Sequence, residues 1–227
     1  MTLAAATAGI HADGEARRYF GLYPAVVTDI VDPDRLGRIE VRFPGLGRGG
    51  GADVRAWATL LSPYADDDQG LEILPAVDSQ VVVGFEAGSL RRPYIVGACW
   101  NGKEAQPERP AAANNKRLLK SRSGSILEFD DTQGAAKVTI STKGGHKIVL
   151  DDGAREITVT HSGGSVITIN AAGEIELTTS ATVEVTASAL NVHAAAAVFD
   201  GMITCTSLIA STSVASPSYT PGAGNVW

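Results

Sequence analysis

The chain has 227 residues, 44% of them apolar, with a formal net charge of −6. That is enough for one large or two modest domains with a buried core. No run of eighteen or more uncharged apolar residues occurs, which argues against a transmembrane helix, and residues 1–10 lack the charged leading region of a signal peptide.

Cys99 and Cys205 lie far apart and suggest no disulfide framework, which suits a protein made in a reducing cytoplasm. Charge is unevenly placed. Every Lys and Arg lies at or before Arg155, and beyond it the charged side chains are Glu156, Glu174, Glu176, Glu184 and Asp200. A nucleic-acid binder needs clustered Lys and Arg to displace counterions, and the C-terminal third has none. Such a surface is either kept soluble by Ser and Thr or made to pass other material without electrostatic snagging. Eight of the ten prolines fall between Pro24 and Pro110, and the next is Pro217. Proline cannot donate to a strand ladder, so the gap is compatible with unbroken cross-strand pairing.

In chain order, residues 1–18 have little pattern and read as a flexible arm. From Tyr19 the β-branched run Tyr23–Val31, the turn Asp32-Pro-Asp-Arg-Leu-Gly37 and the alternating Arg38–Phe43 predict a hairpin with Ile39, Val41 and Phe43 on one face. Val54–Leu61 reads as a third strand. Asp66–Asp68 sits in an acidic loop, and Leu71–Pro75 reads as a short strand. Ser79–Phe85 and Arg92–Gly97 are further strands. Five or six short strands at this spacing predict a small closed β-barrel over 19–103. A linker over 104–122 follows, marked by Pro107, Pro110 and three alanines.

Tyr23-Pro-Ala-Val-Val, Asp34-Arg-Leu-Gly-Arg-Ile-Glu-Val-Arg-Phe-Pro-Gly, Val54-Arg-Ala-Trp-Ala, Leu74-Pro-Ala-Val-Asp-Ser-Gln-Val-Val-Val-Gly-Phe, Arg92-Pro-Tyr-Ile-Val-Gly and Trp100-Asn-Gly occur in that order. The series resembles the OB-fold of the VgrG and phage baseplate assembly protein V family, the central spikes of contractile injection systems. It covers about Tyr19 to Lys103. The family usually has Gly where this chain has Asp78. In that family the barrel leads into a trimeric β-helical spike.

From Ser123 a short pattern repeats: Gly-x-x-aliphatic-x-bulky apolar-Asp/Asn at Gly124–Asp130, Gly145–Asp151 and Gly164–Asn170. Apolar pairs two residues apart occur at Leu127/Phe129, Val138/Ile140, Ile148/Leu150, Ile157/Val159, Ile167/Ile169, Ile175/Leu177, Val183/Val185 and Leu190/Val192, with their starts 11, 10, 9, 10, 8, 8 and 7 residues apart. Residues i and i+2 of a strand share a face, so each pair presents two aliphatic groups to one side, with Gly and Asp/Asn as corners. A shortening corner-strand-corner path over 123–216 would wind a tapering prism. A single-chain β-solenoid and three chains about one axis both fit the spacing; the resemblance favours three chains, with these sixteen pair residues as the trimer core.

Candidate sites are few. Three consecutive residues cannot all aim at one cation, so Asp66–Asp68 reads as a solvated loop. Asp130-Asp131 and Asp151-Asp152 lack the Gly-Gly-x-Gly-x-Asp pattern of a calcium roll and read as corners. The histidines are His11, His146, His161 and His193. Some spikes of the resembled family carry a His-x-His pair that binds iron at the point. This chain has none, although His193 on a threefold axis would offer three imidazoles to one metal. No metal, cofactor or catalytic residue is expected, since no paired carboxylates or nucleophile elbow stand out.

The last segment, 217–227, breaks the repeat. The resemblance implies a PAAR-repeat tip protein docked there, with Tyr219, Val226 and Trp227 as candidates. It also implies a separate hub or baseplate protein on the N-terminal side, since eighteen residues precede the barrel. The whole reads as a non-enzymatic, homotrimeric, membrane-puncturing needle, made in the bacterial cytoplasm and assembled into a phage-tail-like particle or virion, acting on a target cell envelope and not on nucleic acid. The competing reading is an OB-fold module on a β-solenoid stalk, binding oligosaccharide or nucleic acid through Arg55, Trp57 and Tyr64.

Overall fold

The computed structural model describes residues 18–46 and 53–217. Among them are the strands β1 Leu22–Asp29, β2 Arg38–Phe43, β3 Val54–Leu60, β4 Ala65–Asp66, β5 Gln69–Gly70, β6 Gln80–Phe85 and β7 Pro93–Ala98. A second group follows: β8 Lys116–Lys120, β9 Ile126–Asp130, β10 Lys137–Ser141, β11 Lys147–Asp151, β12 Glu156–Thr160, β13 Val166–Ile169 and β14 Ile175–Thr178. The described residues contain no α-helix, only one 3-10 turn at Glu86–Gly88. The chain is all-β.

The first group closes into a barrel of order β1-β2-β3-β7-β6. Its closure is the parallel pairing of β3 with β7, Thr59 opposite Tyr94 and Leu60 opposite Ile95. Alternation makes the core. Ala25 and Val27, Ile39, Val41 and Phe43, then Ala58, Val81, Val83 and Ile95 point inward and are fully buried. Phe43 also meets Phe85 at 5.4 Å between ring centroids, and Phe85 meets Tyr23 at 5.3 Å. Aromatic rings thus fill one region of the barrel, each worth more than its area alone.

The β1–β2 loop is held from inside by Asp32. Its carboxylate accepts Nε and Nη2 of Arg38, both at 2.8 Å, and the backbone N–H groups of Asp34, Leu36 and Arg38 at 3.0, 3.0 and 3.2 Å. The Arg38 guanidinium holds this carboxyl well below the usual carboxylate range, with the three amides adding to it against the opposing effect of desolvation. A depressed carboxylate contributes its full stabilisation above its unfolded value, about 4, and that contribution declines progressively as pH falls from there through the far lower folded value. Asp32→Asn is therefore expected to lower the barrel's melting temperature at neutral pH. The gap to the parent should close as pH is taken below about 4, and thermal melts across that range check it.

Two local features differ from expectation. Leu71–Pro75 forms no strand. Ser62 Oγ instead ties the carbonyls of Tyr64 and Leu71 at 2.9 and 2.8 Å, and a small β4–β5 hairpin forms before it, with Asp66–Asp68 at its tip. Pro75 could not have donated to a ladder there. At position 78 the backbone has φ +70, the left-handed conformation that glycine favours and Asp tolerates. The turn is kept, with the Asp78 N–H bonded to the Val27 carbonyl at 2.9 Å.

The second group is one seven-stranded sheet in sequential order, β8 to β14, every neighbour antiparallel. It begins at Lys116, inside the stretch expected as linker. The expected winding path is replaced, through Thr178, by a meander of hairpins. The reason lies in the repeated glycine. Gly124, Gly145, Gly164 and Gly173 have φ of +91, +94, +94 and +83. Each N–H bonds the carbonyl three residues before it, at Ser121, Thr142, His161 and Asn170, and those residues in turn donate to the residue after the glycine. This is a type I turn closed by a left-handed residue, a three-residue hairpin loop that reverses the chain. Through Thr178 the spacing of the apolar pairs follows the lengths of the strands and of the hairpin loops between them. A Cβ added at Gly164 would meet nothing within 4 Å. Gly164→Ala should therefore cost only the backbone term, about 1 kcal/mol per chain, read as a lower melting temperature with an unchanged strand signal by circular dichroism.

Residues 179–217 contain no strand, and their apolar side chains are exposed, Val183, Val185, Leu190, Val192, Val198 and Leu208 among them.

Candidate functional site: an uncovered apolar sheet face

The registers place the predicted pairs with no freedom left. Leu127, Ile140, Ile148, Val159, Ile167 and Leu177 stand directly opposite one another across successive strands. Phe129, Val138, Leu150, Ile157, Ile169 and Ile175 form a second such row. Directly paired residues share a face, and the rows are two residues apart, so all twelve lie on one side of the sheet. Strand β8 adds Leu119 opposite Leu127 and Arg117 opposite Phe129. Leu119 carries no pattern of its own in Lys116-Arg-Leu-Leu-Lys120, and only pairing with β9 reveals its face. The other side carries Leu118, Glu128, Thr139, Val149, Thr158, Thr168 and Glu176 in its central row. The sheet is amphipathic across its whole length.

Among the described residues nothing covers the apolar side. Nine of the twelve pair residues are exposed, from 37% at Ile148 to 75% at Ile175. A sheet of this kind must bury that face against another element, and an exposed contiguous apolar surface marks an association site. The other four predicted core residues, Val183, Val185, Leu190 and Val192, lie past β14 and are not brought into the rows. Val183 does line a groove with Val159, Ile167 and Leu177 at the end of the sheet.

The corner acids do corner work. Asp130 accepts the Thr132 hydroxyl and its N–H at 3.0 Å, which hold its carboxyl below the ordinary range. Asp151 accepts the Ala154 N–H at 2.8 Å. The N–H groups of Asp131 and Asp152 bond across to the Asn115 and Ala136 carbonyls, both at 2.9 Å. His146 and His161, on neighbouring hairpin loops, meet with ring centroids 4.6 Å apart and planes tilted by 45°, and the Nδ1 of each accepts a loop amide, from Ser162 at 3.4 Å and Gly163 at 3.0 Å. His193 lies in the segment without strands, and His11, Tyr219, Val226 and Trp227 lie outside the described residues.

On the barrel, the three residues of the competing reading have partners within the chain. Arg55 lies between Glu40 at 3.4 Å and Asp53 at 3.7 Å. Trp57 has the Arg38 guanidinium 5.9 Å over its ring, and the Tyr64 hydroxyl donates to Gln69 at 2.6 Å.

A parallel-closed five-stranded barrel followed by an amphipathic meander matches two family models in the same order. The Type VI secretion system/phage-baseplate injector OB domain matches residues 23–100. The phage baseplate V C-terminal trimerisation domain matches residues 137–197. This is a VgrG/baseplate V-like chain. Among curated proteins it is similar to the Type VI secretion system spike protein VgrG4b of Pseudomonas aeruginosa PAO1, 26% identical over 134 residues. The match takes in 54% of this chain and 17% of that protein, so the chain spans a small part of the relative's length. In this VgrG/baseplate V-like chain the trimerisation match takes in β10 to β14, most of both apolar rows, and the strandless segment as far as residue 197. Its family is one of structural spike and baseplate proteins.

Proposed function

We propose that this chain is the non-enzymatic spike of a contractile injection system, a homotrimer whose second sheet supplies three walls of a needle. The observation that carries the reading is the uncovered apolar face. Three copies turned inward would bury all of its rows against one another. Each half-exposed aliphatic side chain would gain roughly 1 kcal/mol on full burial, against the entropy of assembly. Residues 179–217 fit the same design. Backbone N–H and C=O groups that no ladder satisfies need partners, and strands of two further copies would provide them, continuing the needle as a β-helical shaft with few charges. The needle would transmit axial force to a small area of the target cell envelope. A hub or baseplate protein would seat the barrels, and a PAAR-repeat protein would finish the point, docked on Tyr219, Val226 and Trp227. The protein would be made in the bacterial cytoplasm and assembled into a phage-tail-like particle or virion.

Sedimentation of the full chain is expected to give three times the protomer mass down to micromolar concentration, and particles purified from the producing cells should contain it. A protomer-sized species, or particles lacking the chain, would reject the proposal.

A further inference from the structure

The two edges of the meander differ in charge: one is cationic, and the other is mixed with an excess of carboxylates. Because alternate strands run in opposite directions, the hairpin loops 121–125, 142–146 and 161–165 share one edge, and 131–136, 152–155 and 170–174 share the other. The first edge, with its terminal strand residues, carries Lys120, Arg122, Lys143 and Lys147 and no carboxylate. The second carries Asp130, Asp131, Asp151, Asp152, Glu156 and Glu174 against Lys116, Arg117, Lys137 and Arg155. Within the protomer none of the four cations of the first edge forms an ion pair among the described residues, and neither do Asp151, Asp152, Glu156 and Glu174. Along a five-residue strand the edges stand about 13 Å apart, too far to neutralise one another.

We propose that these edges are the subunit seams of the trimer: the cationic loops of one copy abut the acidic loops of the next. This rests on the homotrimer reading. A closed ring of three identical walls has heterologous seams, each joining the first edge of one copy to the second edge of its neighbour. A like-charged seam would repel; the sorted charges make every seam attractive and oppose any arrangement that brings two cationic edges together. The partner that fits is a second copy of this chain in a single sense of rotation. Glycines at 124, 144, 145, 163 and 164 keep the cationic loops low, so that backbones can approach at the corner.

Two measurements on the full chain test this. A zero-length carbodiimide reagent joins an amine to a carboxylate in direct contact. In the trimer it should link Lys143 or Lys147 to Asp152 or Glu156, pairs that one protomer cannot bring together, and mass spectrometry of covalent dimers and trimers would identify them. In the second, Lys143→Glu with Lys147→Glu, and separately Asp152→Lys with Glu156→Lys, should each weaken the trimer about tenfold in low salt, followed by sedimentation in urea near the parent's dissociation midpoint. The four changes combined should restore it, while circular dichroism reports that the sheet is retained in each variant. A trimer that yields no such links, or that tolerates either double reversal unchanged, overturns the seam and leaves the trimer standing. A monomeric parent chain instead overturns the homotrimer on which the seam depends.

Discussion

Ile148→Asp is expected to leave the chain a folded monomer. Ile148 lies in the middle of the first apolar row, between Ile140 and Val159. In the protomer its side chain is 37% exposed, so a carboxylate there stays hydrated and the sheet's own hydrogen bonds are untouched. In the trimer the same carboxylate would be buried on an apolar face with no cation beside it. A buried unpaired charge costs several kcal/mol after relaxation, and threefold symmetry repeats the cost in each copy. A penalty on the order of 10 kcal/mol per trimer exceeds what most assemblies hold in reserve. Sedimentation at micromolar concentration would read a drop to one third of the mass, with strand content kept. Val149→Asp, one residue along and on the polar side, is the matched control and should remain trimeric. A trimeric Ile148→Asp would mean that the face meets something other than its own copies.

The second large effect lies in the barrel. Phe43 is 2% exposed and packs on Ile39 and Val41 of its own strand's face and on the Phe85 ring. Phe43→Ala removes most of a ring from a closed barrel that cannot collapse without breaking its ladders. A loss of about 3–5 kcal/mol is expected, enough to unfold a domain of this size near physiological temperature. Differential scanning calorimetry should show a barrel transition moved down by tens of degrees, with any separate transition of the trimerised sheet left in place. Loss of both transitions together would show that the two domains fold as one cooperative unit.

Most of the barrel was legible in the residues, because Arg38–Phe43 alternates strictly, Leu22–Asp29, Gln80–Phe85 and Pro93–Ala98 are short runs rich in β-branched residues, and the turns carry Pro, Asp and Gly. The exception is Leu71–Pro75, where Leu71 is tied by its carbonyl to the Ser62 hydroxyl and by its N–H to the Tyr64 carbonyl, and no ladder forms beyond it. The apolar pairs of the second domain were equally legible, since period two needs only neighbouring residues. Their path was not. Gly145 between Thr142 and His146 can mark a corner or a reversal, and the choice depends on whether the flanking strands pair with each other. Leu119 stayed hidden for the same reason: in Lys-Arg-Leu-Leu-Lys no face is favoured until β9 fixes the register.

What the sequence determined by itself was local: strand, turn, the side on which each apolar pair stands, and the retreat of positive charge from the C-terminal third. These follow from backbone sterics and side-chain period, which act over a few residues. Only the tertiary structure decided that six pairs align into two continuous rows, that those rows lie bare on one face, and that one edge of the sheet carries cations without carboxylates while the corner aspartates gather at the other. Each of these depends on antiparallel pairing between distant residues. Pairing register is a property of two strands and the turn between them, and no single segment carries it alone.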